Sequence, residues 1–471
     1  MAVMKQALNL KLDRAAKTTL AEQIRLGIIA AIDTGALAPG ARLPSWLDLS
    51  AQLGVARGTV KTAYERLADE QLIVPSGSGG TRVADHLAKT ASIASRLKTD
   101  PKPALYEDYF FGPAIFQMGI PASDCFPASL LARLRAHAAR AEVGSPAVYP
   151  DPRGEYELRR EIAAHLSLAR GLKCEPSQVF ITAGFSGALG LTLRILRAEG
   201  RTAWTENPGF FLSRKALELS QLSPIPVPVD EEGMDVSYAI KKAPDAALAL
   251  VTPGQQAPTG VTLSLARRIQ LIEWARHTGA WLIEDDYLGE LQLRRRAAPS
   301  LASLDRAGRV IHIGTFSKTI SPALRLGFIV APVALVPHFV EAMMCLAPAP
   351  GPAVQLAIAE FMRHGHYLRH LRRMKRVYAA RCDSLQATLK SMGHLAHPAG
   401  LAMLLRLPNG ARDDLIAREA NAYGLAPSPL SIWFSPAGIS QPGLLLGVAT
   451  VTENQVSAAC ERLHQLIDMY S

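Results

Sequence analysis

Between residues 314 and 327 the chain reads GTFSKTISPALRLG, and the residue types there fit one kind of chemistry. Lys318 stands among Thr315, Ser317 and Thr319, with Arg325 just ahead of the next apolar run. A lysine partly withdrawn from water loses hydration that favours its charged form, so its amine becomes a usable nucleophile near neutral pH. Small hydroxyls and a guanidinium are what a phosphate dianion needs for charge-assisted hydrogen bonds. An amine beside a phosphate site fits pyridoxal phosphate held as a Schiff base. Ser317-Lys318 alone is more often a solvated lysine in a polar loop, so the surrounding chain must decide.

The elements that would position these residues are legible as short apolar runs. Residues 310–313 and 326–330 bracket the stretch, too short for helices and suited to strands buried in a sheet. Similar runs at 179–182, 203–205, 247–252 and 281–283 alternate with helical patterns. That alternation predicts a mostly parallel sheet covered by helices, with its ligand beyond the C-terminal strand ends. The other motifs fall at those ends. After 179–182 comes AGFSGALGLTLRIL, a helix with Leu189, Leu193 and Leu196 on one face. The free amides of its first turn, at Gly184, Phe185 and Ser186, form an anion cradle, or a plain strand-to-helix turn. After 203–205, Phe210 follows Pro-Gly in ENPGFFLSR and either lies flat on a pyridine ring or joins the core. Pro258-Thr259-Gly260 turns into a helix starting near Leu263 and would wall the site.

After 281–283 comes EDDYLGE, where Glu284, Asp285 and Asp286 suit a metal or a cationic ring nitrogen. Beside a lysine and a phosphate site the second is favoured, because a carboxylate there keeps the pyridine protonated and strengthens it as an electron sink. No histidine or further carboxylate at ligand spacing supports a metal. Tyr287 would donate to the ring's phenolic oxygen.

The first 84 residues follow another pattern. Leu20, Ile24 and Ile28 mark one face of an amphipathic helix that Gly35 and Pro39-Gly40 stop. Pro44-Ser45 opens a short helix, Gly54 breaks it, and RGTVKTAYERLADEQ starts another near Ala56. This spacing is that of a helix-turn-helix, whose second helix would offer Arg57, Thr59 and Lys61 to base edges, with Val60, Ala63, Tyr64 and Leu67 inward. Residues 72–74, a glycine-rich tip and residues 81–84 read as a hairpin wing. Together these motifs resemble the winged helix-turn-helix of GntR-type regulators. The resemblance implies DNA contacts from Arg42, Ser45, Arg57, Thr59, Lys61 and Gly79. The serine usual before the recognition-helix arginine is Ala56 here. Residues 85–105 are small, polar and proline-ended, a linker in composition.

Composition sets wider bounds. A chain of 471 residues, 49% hydrophobic, holds two or three domains, and its net charge of +10 is compatible with nucleic acid. Five cysteines at irregular spacing suggest reduced thiols, and neither a signal peptide nor a membrane-length apolar run is present, so a cytoplasmic protein is expected. The helical stretch at 363–381 is strongly basic: a solvated face, or a secondary surface for DNA.

YPDPRGEYELRREIAAHL, ENPGF, APTGVTLSLARR, EDDY and GTFSKTISPALRLG stand in the order found in fold-type I aminotransferases. Fused behind a GntR-type head, the arrangement resembles MocR-type transcriptional regulators. The expected fold is a winged helix-turn-helix (α+β) at 13–84, a linker at 85–105, and an α/β aminotransferase-like domain at 106–471 with a smaller C-terminal subdomain. The resemblance implies a pyridoxal phosphate aldimine at Lys318 and Asp285 on the pyridine nitrogen. It places Tyr287 on the ring oxygen and Thr315, Ser317 and Arg325 on the phosphate. It further implies a head-to-tail homodimer in which Tyr149 reaches the partner's phosphate. Two departures bear on activity: the asparagine expected before Pro-Thr-Gly is Ala257, and the C-terminal arginine that clamps a substrate carboxylate is Leu445, in GLLLGVAT. Losing that clamp removes binding and orientation together. The combination favours a DNA-binding regulator that senses pyridoxal phosphate or an amine over a working aminotransferase.

Overall fold

The structure, a computed structural model, describes residues 10, 12–14, 16, 18–75, 80–84, 114–144, 147–293, 297–435 and 441–470. The wing glycine Gly79 and the linker at 85–105 lie outside the described residues. The chain divides into two compact units, Met1–Phe110 and Phe111–Ser471.

The first unit holds α1 (Leu20–Asp33), α2 (Trp46–Leu53), α3 (Arg57–Asp69) and an antiparallel pair, β1 (Ile73–Pro75) with β2 (Thr81–Val83). Ser45 Oγ accepts from Asp48 N at 3.1 Å and caps α2, and Gly54 ends that helix in the left-handed conformation (φ 62°). Ala56 gives α3 no side-chain cap. Ile24, Ile28, Leu49, Val60, Ala63, Leu67, Ile73 and Val83 close one apolar core. Tyr64, also in that core, donates its hydroxyl to the Pro44 carbonyl at 2.8 Å and so ties α3 to the entry of α2.

In the second unit eight strands form one sheet: β3 (Val179–Thr182), β4 (Thr202–Asn207), β5 (Ser223–Asp230), β6 (Gly233–Met234), β7 (Leu248–Val251), β8 (Trp281–Asp286), β9 (Val310–Thr315) and β10 (Gly327–Val330). Their spatial order is β3-β10-β9-β8-β7-β4-β5-β6. The neighbours from β9 to β5 run parallel, while β10 is antiparallel to both β3 and β9. Helices cover both faces, as the alternation in β3 records: Val179 and Ile181 join one core cluster and Phe180 another. The expected runs are all strands. β5 was not legible, because Pro224, Pro226 and Pro228 interrupt it; β5 has a single parallel neighbour along most of its length, so the missing donors cost little. The helix after Pro-Thr-Gly begins at Leu265 with Ser264 as its cap, and Leu263 is buried core rather than helix.

A second sheet, β11 (Ala396–Ala399), β12 (Ala402–Arg406), β13 (Ser428–Pro429) and β14 (Gly443–Gly447), has the order β11-β12-β14-β13 and is antiparallel throughout. It is the smaller C-terminal subdomain. Among the described residues no helix is long and apolar enough to cross a membrane.

Leu67 is wholly buried where α3 meets the rest of the first unit. Leu67→Ala should cost this unit about 2 to 5 kcal/mol, read by urea unfolding.

Candidate functional site

Sheet register brings the motifs to one edge. Thr182 at the end of β3 pairs with Gly327, and Gly327 pairs with Thr315 at the end of β9. Asp285 and Asp286 of β8 lie beside Ile313 and Gly314. Because β10 runs antiparallel, its first residue returns to the edge where β3, β8 and β9 finish. The loop from Phe316 to Leu326, with Lys318 in it, therefore stands over the carboxyl ends of the parallel strands.

Lys318 Nζ donates to the Gly119 carbonyl at 2.9 Å. Gly119 has φ 76°, and a Cβ there would come within 2.9 Å of Nζ, so only glycine leaves the amine its room. Burial pushes the Lys318 ammonium below its ordinary value, with the Asp285 carboxylate pulling the other way. Asp285 is buried, and its Oδ1 has no hydrogen-bond partner among the described residues. Burial, with the charges of Asp286 and Glu206, raises its carboxyl well above the usual carboxylate range. An orphaned buried acceptor costs about 1 to 3 kcal/mol. A protonated ring nitrogen would supply the donor it lacks.

The neighbouring part of this edge is built by α4 (Gly184–Leu196). Gly184 opens that helix with φ 76°, and a Cβ on it would sit 3.8 Å from the Arg325 guanidinium carbon. Arg325 itself takes the left-handed conformation (φ 48°) and donates to the Ala183 carbonyl at 3.2 Å. Gly327 packs against Gly184, since a Cβ at 327 would meet its backbone at 3.0 Å. This brings the α4 amides of Gly184, Phe185 and Ser186 next to the Thr315 end of β9. Thr315 Oγ1 donates to Ser317 Oγ at 3.0 Å and accepts from Ser317 N at 3.1 Å, which fixes both hydroxyls. The Phe185 side chain packs on the core, leaving only its amide for an anion. Helix amides, two hydroxyls and a guanidinium fit a phosphate group.

Phe210, ahead of α5 (Phe211–Leu219), and Tyr287 both pack against a cluster of Ala257, Ala399, Leu404, Leu430, Trp433 and Leu445. Leu445 is 0% exposed in β14, opposite Leu404 of β12. The wall where a carboxylate clamp would stand is apolar. Tyr287 keeps its proton: burial raises its hydroxyl, and Asp285 and Glu206 add to that. Tyr149 is 102% exposed and is not drawn into this site within its own chain.

The acidic triplet is not one cluster. Strand alternation turns Glu284 and Asp286 away from Asp285. Glu284 accepts from Leu301 N at 2.6 Å and Ala302 N at 3.0 Å and pairs with His312 Nδ1 at 3.0 Å. Asp286 takes a bidentate contact from Arg170 at 2.7 and 3.1 Å. Sequence reasoning missed several contributors. Glu206 is buried, takes Thr252 N at 3.1 Å, and is pushed by burial up to about 7. Tyr367 and His370, in the first two turns of α6 (His366–Ser391), hold the residue after the lysine. Tyr367 donates to Thr319 Oγ1 at 3.2 Å and His370 Nε2 to the Thr319 carbonyl at 2.7 Å. These partners lie 48 and 51 residues from Thr319, beyond any local pattern.

On the first unit, Arg57 and Lys61 are exposed one turn apart at the start of α3, and Lys61 is 3.7 Å from Glu65. Thr59 is half-buried between them and Ser45 serves as the α2 cap. Exposed Arg42 lies against the wing, where a Cβ on Gly80 would be 3.0 Å from its Nε.

Asp285 yields two opposed predictions. A carboxyl raised by folding binds its proton more tightly in the native state, so stability falls as pH rises from its ordinary value. Asp285→Asn should therefore raise the melting temperature of cofactor-free protein at pH 7 to about 8. The same substitution should weaken pyridoxal phosphate binding at least about tenfold, measured by absorbance titration.

Residues 119–463 match the aminotransferase class I and II family, and residues 20–83 the gntR family of bacterial regulatory proteins. The chain is 32% identical over 466 residues to the probable rhizopine catabolism regulatory protein MocR of Rhizobium meliloti, covering 94% of this chain and 92% of that one. It is 33% identical over 453 residues to the pyridoxine biosynthesis transcriptional regulator PdxR of Corynebacterium glutamicum, with 95% of each covered. Among solved structures, the α-aminoadipate aminotransferase LysN of Thermus thermophilus, complexed with N-(5'-phosphopyridoxyl)-L-leucine, superposes with a TM-score of 0.70 at 26% identity, over 80% of this chain and 96% of that one. The kynurenine aminotransferase of Pyrococcus horikoshii shares the fold at TM-score 0.70 and 22% identity, over 80% of this chain and 96% of that one. Head, aminotransferase fold and pyridoxal phosphate site together place the chain in the MocR-type transcriptional regulators of the GntR family, DNA-binding proteins with an aminotransferase-like domain.

Proposed function

We propose that this regulator holds pyridoxal phosphate covalently through Lys318 and that cofactor or amine occupancy controls its grip on a promoter. Bound there, the cofactor supplies an electrophilic carbon and an electron-sink ring. The chain's own residues have narrower duties. Lys318 offers the amine, Asp285 holds a proton at the ring nitrogen, and Tyr287 keeps its own proton for the ring oxygen. Gly184, Phe185, Ser186, Thr315, Ser317 and Arg325 anchor the phosphate. Tyr149, exposed together with Val148, is assigned to the partner's phosphate in a head-to-tail dimer.

The observation that carries sensing over turnover is the apolar wall. Leu445 and Ala257 are buried in one cluster with Trp433, against Phe210 and Tyr287. A substrate carboxylate there would be desolvated without a partner, at a cost of several kcal/mol. Pyridoxal phosphate needs no such clamp, and similarity to a pyridoxine biosynthesis regulator supports it as effector. Tyr367 and His370 would pass a change at Lys318 to α6, because they hold the adjoining peptide.

Affinity for a duplex from upstream of the protein's own gene should change at least about fivefold on adding pyridoxal phosphate. Lys318→Ala should bind that duplex and not respond. Equal affinity of the native protein with and without the cofactor would reject sensing. Repeated turnover of amino acids on the order of one per second would instead favour an active aminotransferase.

A further inference from the structure

We infer that the outer face of α6 is a second DNA-backbone contact, made by Arg369, Arg372 and Arg376 of the aminotransferase-like domain. Between residues 366 and 381 the helix carries six Lys/Arg and no Asp/Glu. One face of it is buried through Tyr367, His370, Leu371, Met374 and Tyr378, which leaves Arg369, Arg372, Arg373 and Arg376 exposed on the other. Arg373 donates to the Asp124 carbonyl at 3.1 Å, and Arg369 to the His364 carbonyl at 3.1 Å and to His366. Arg372 and Arg376 have no hydrogen bond or ion pair among the described residues. A cleft of about 760 Å³ opens beside them, lined by Arg373, Arg376 and Arg381, with Asp124 and Glu453 the acidic members.

Some helical cations elsewhere are matched by nearby acids, as in Lys215–Glu218, Arg276–Glu273 and Arg160–Glu161. On α6 the i,i+3 and i,i+4 neighbours are like charges: 369 with 372 and 373, and 376 with 372 and 373. Each such pair is mildly destabilising to an isolated helix. A polyanion removes that repulsion. From 369 to 376 the face runs about 10 Å, against which a duplex presents about six phosphates. The partner is already at hand, since the head binds DNA. Residues 1–84 carry ten Lys/Arg against seven Asp/Glu, and the remainder 41 against 34, so most of the positive surplus lies outside the head.

The test uses the full chain loaded with pyridoxal phosphate, and fluorescence anisotropy on an extended duplex from upstream of its own gene and on a scrambled duplex, across a salt series. The triple variant Arg369→Ala/Arg372→Ala/Arg376→Ala should weaken binding to both duplexes. It should also flatten the slope of log Kd against log salt by about 2 to 3, near 0.9 per lost phosphate contact. The triple lysine variant should keep the native slope, because a phosphate accepts either charge. An alanine triple with native slope and affinity, beside an Arg57→Ala protein that binds weakly, overturns this contact and spares the DNA-reading head. If the native protein binds neither duplex, the reading of the head falls and this contact with it. Loss of binding to phosphatidylglycerol vesicles with duplex affinity intact would assign the face to membrane lipid and likewise overturn the proposal.

Discussion

A carboxyl group without a partner, enclosed at the end of a central strand, is the constraint on which the site depends. Asp285 Oδ1 is sealed from water and accepts no hydrogen bond among the described residues, yet the residue stands within electrostatic reach of Lys318. Burial disfavours both of their charges, so neither group is at ease alone. A cationic ring nitrogen and an aldehyde would satisfy them together, and pyridoxal phosphate brings both. The remainder of the edge then follows from register: β9 and the antiparallel β10 swing the lysine loop over the sheet, and α4 turns its amides toward the phosphate end.

The proposal of sensing over amino-acid exchange rests on a choice of wall. Leu445 and Ala257 close an apolar cluster under Phe210 and Tyr287. The cofactor end is polar and furnished with donors, while the described wall around Leu445 is apolar. Under the proposed sensing role the site would keep its affinity for the cofactor without the orientation that turnover requires. Distinguishing states would then be a matter of differential binding, for which the hydrogen bonds of Tyr367 and His370 on Thr319 would supply a route into a long helix.

Much of this was legible in the chain and some was not, for physical reasons. The buried strands carrying Thr182, Asp285 and Thr315 begin as apolar runs, and Lys318 stood out only through the motifs at the ends of those runs. The helices of the head follow from the spacing of Ile24, Ile28, Val60, Ala63 and Leu67, all core. Glu284, Asp285 and Asp286 looked like one acidic site, but a strand sends neighbours to opposite faces, and His312 and Arg170 claim the outer two. Gly119 could not be read, because its role comes from a lysine 199 residues away. The β5 strand was hidden by three prolines that its place near the edge of the sheet tolerates.

The most direct measurement is borohydride reduction of protein saturated with pyridoxal phosphate, followed by proteolysis and mass mapping of the peptides. The account predicts a phosphopyridoxyl group on Lys318 alone, and none after prior replacement of that lysine by alanine. Recovery of the label on another lysine, or an unlabelled Lys318 peptide with the cofactor washed away, would contradict it.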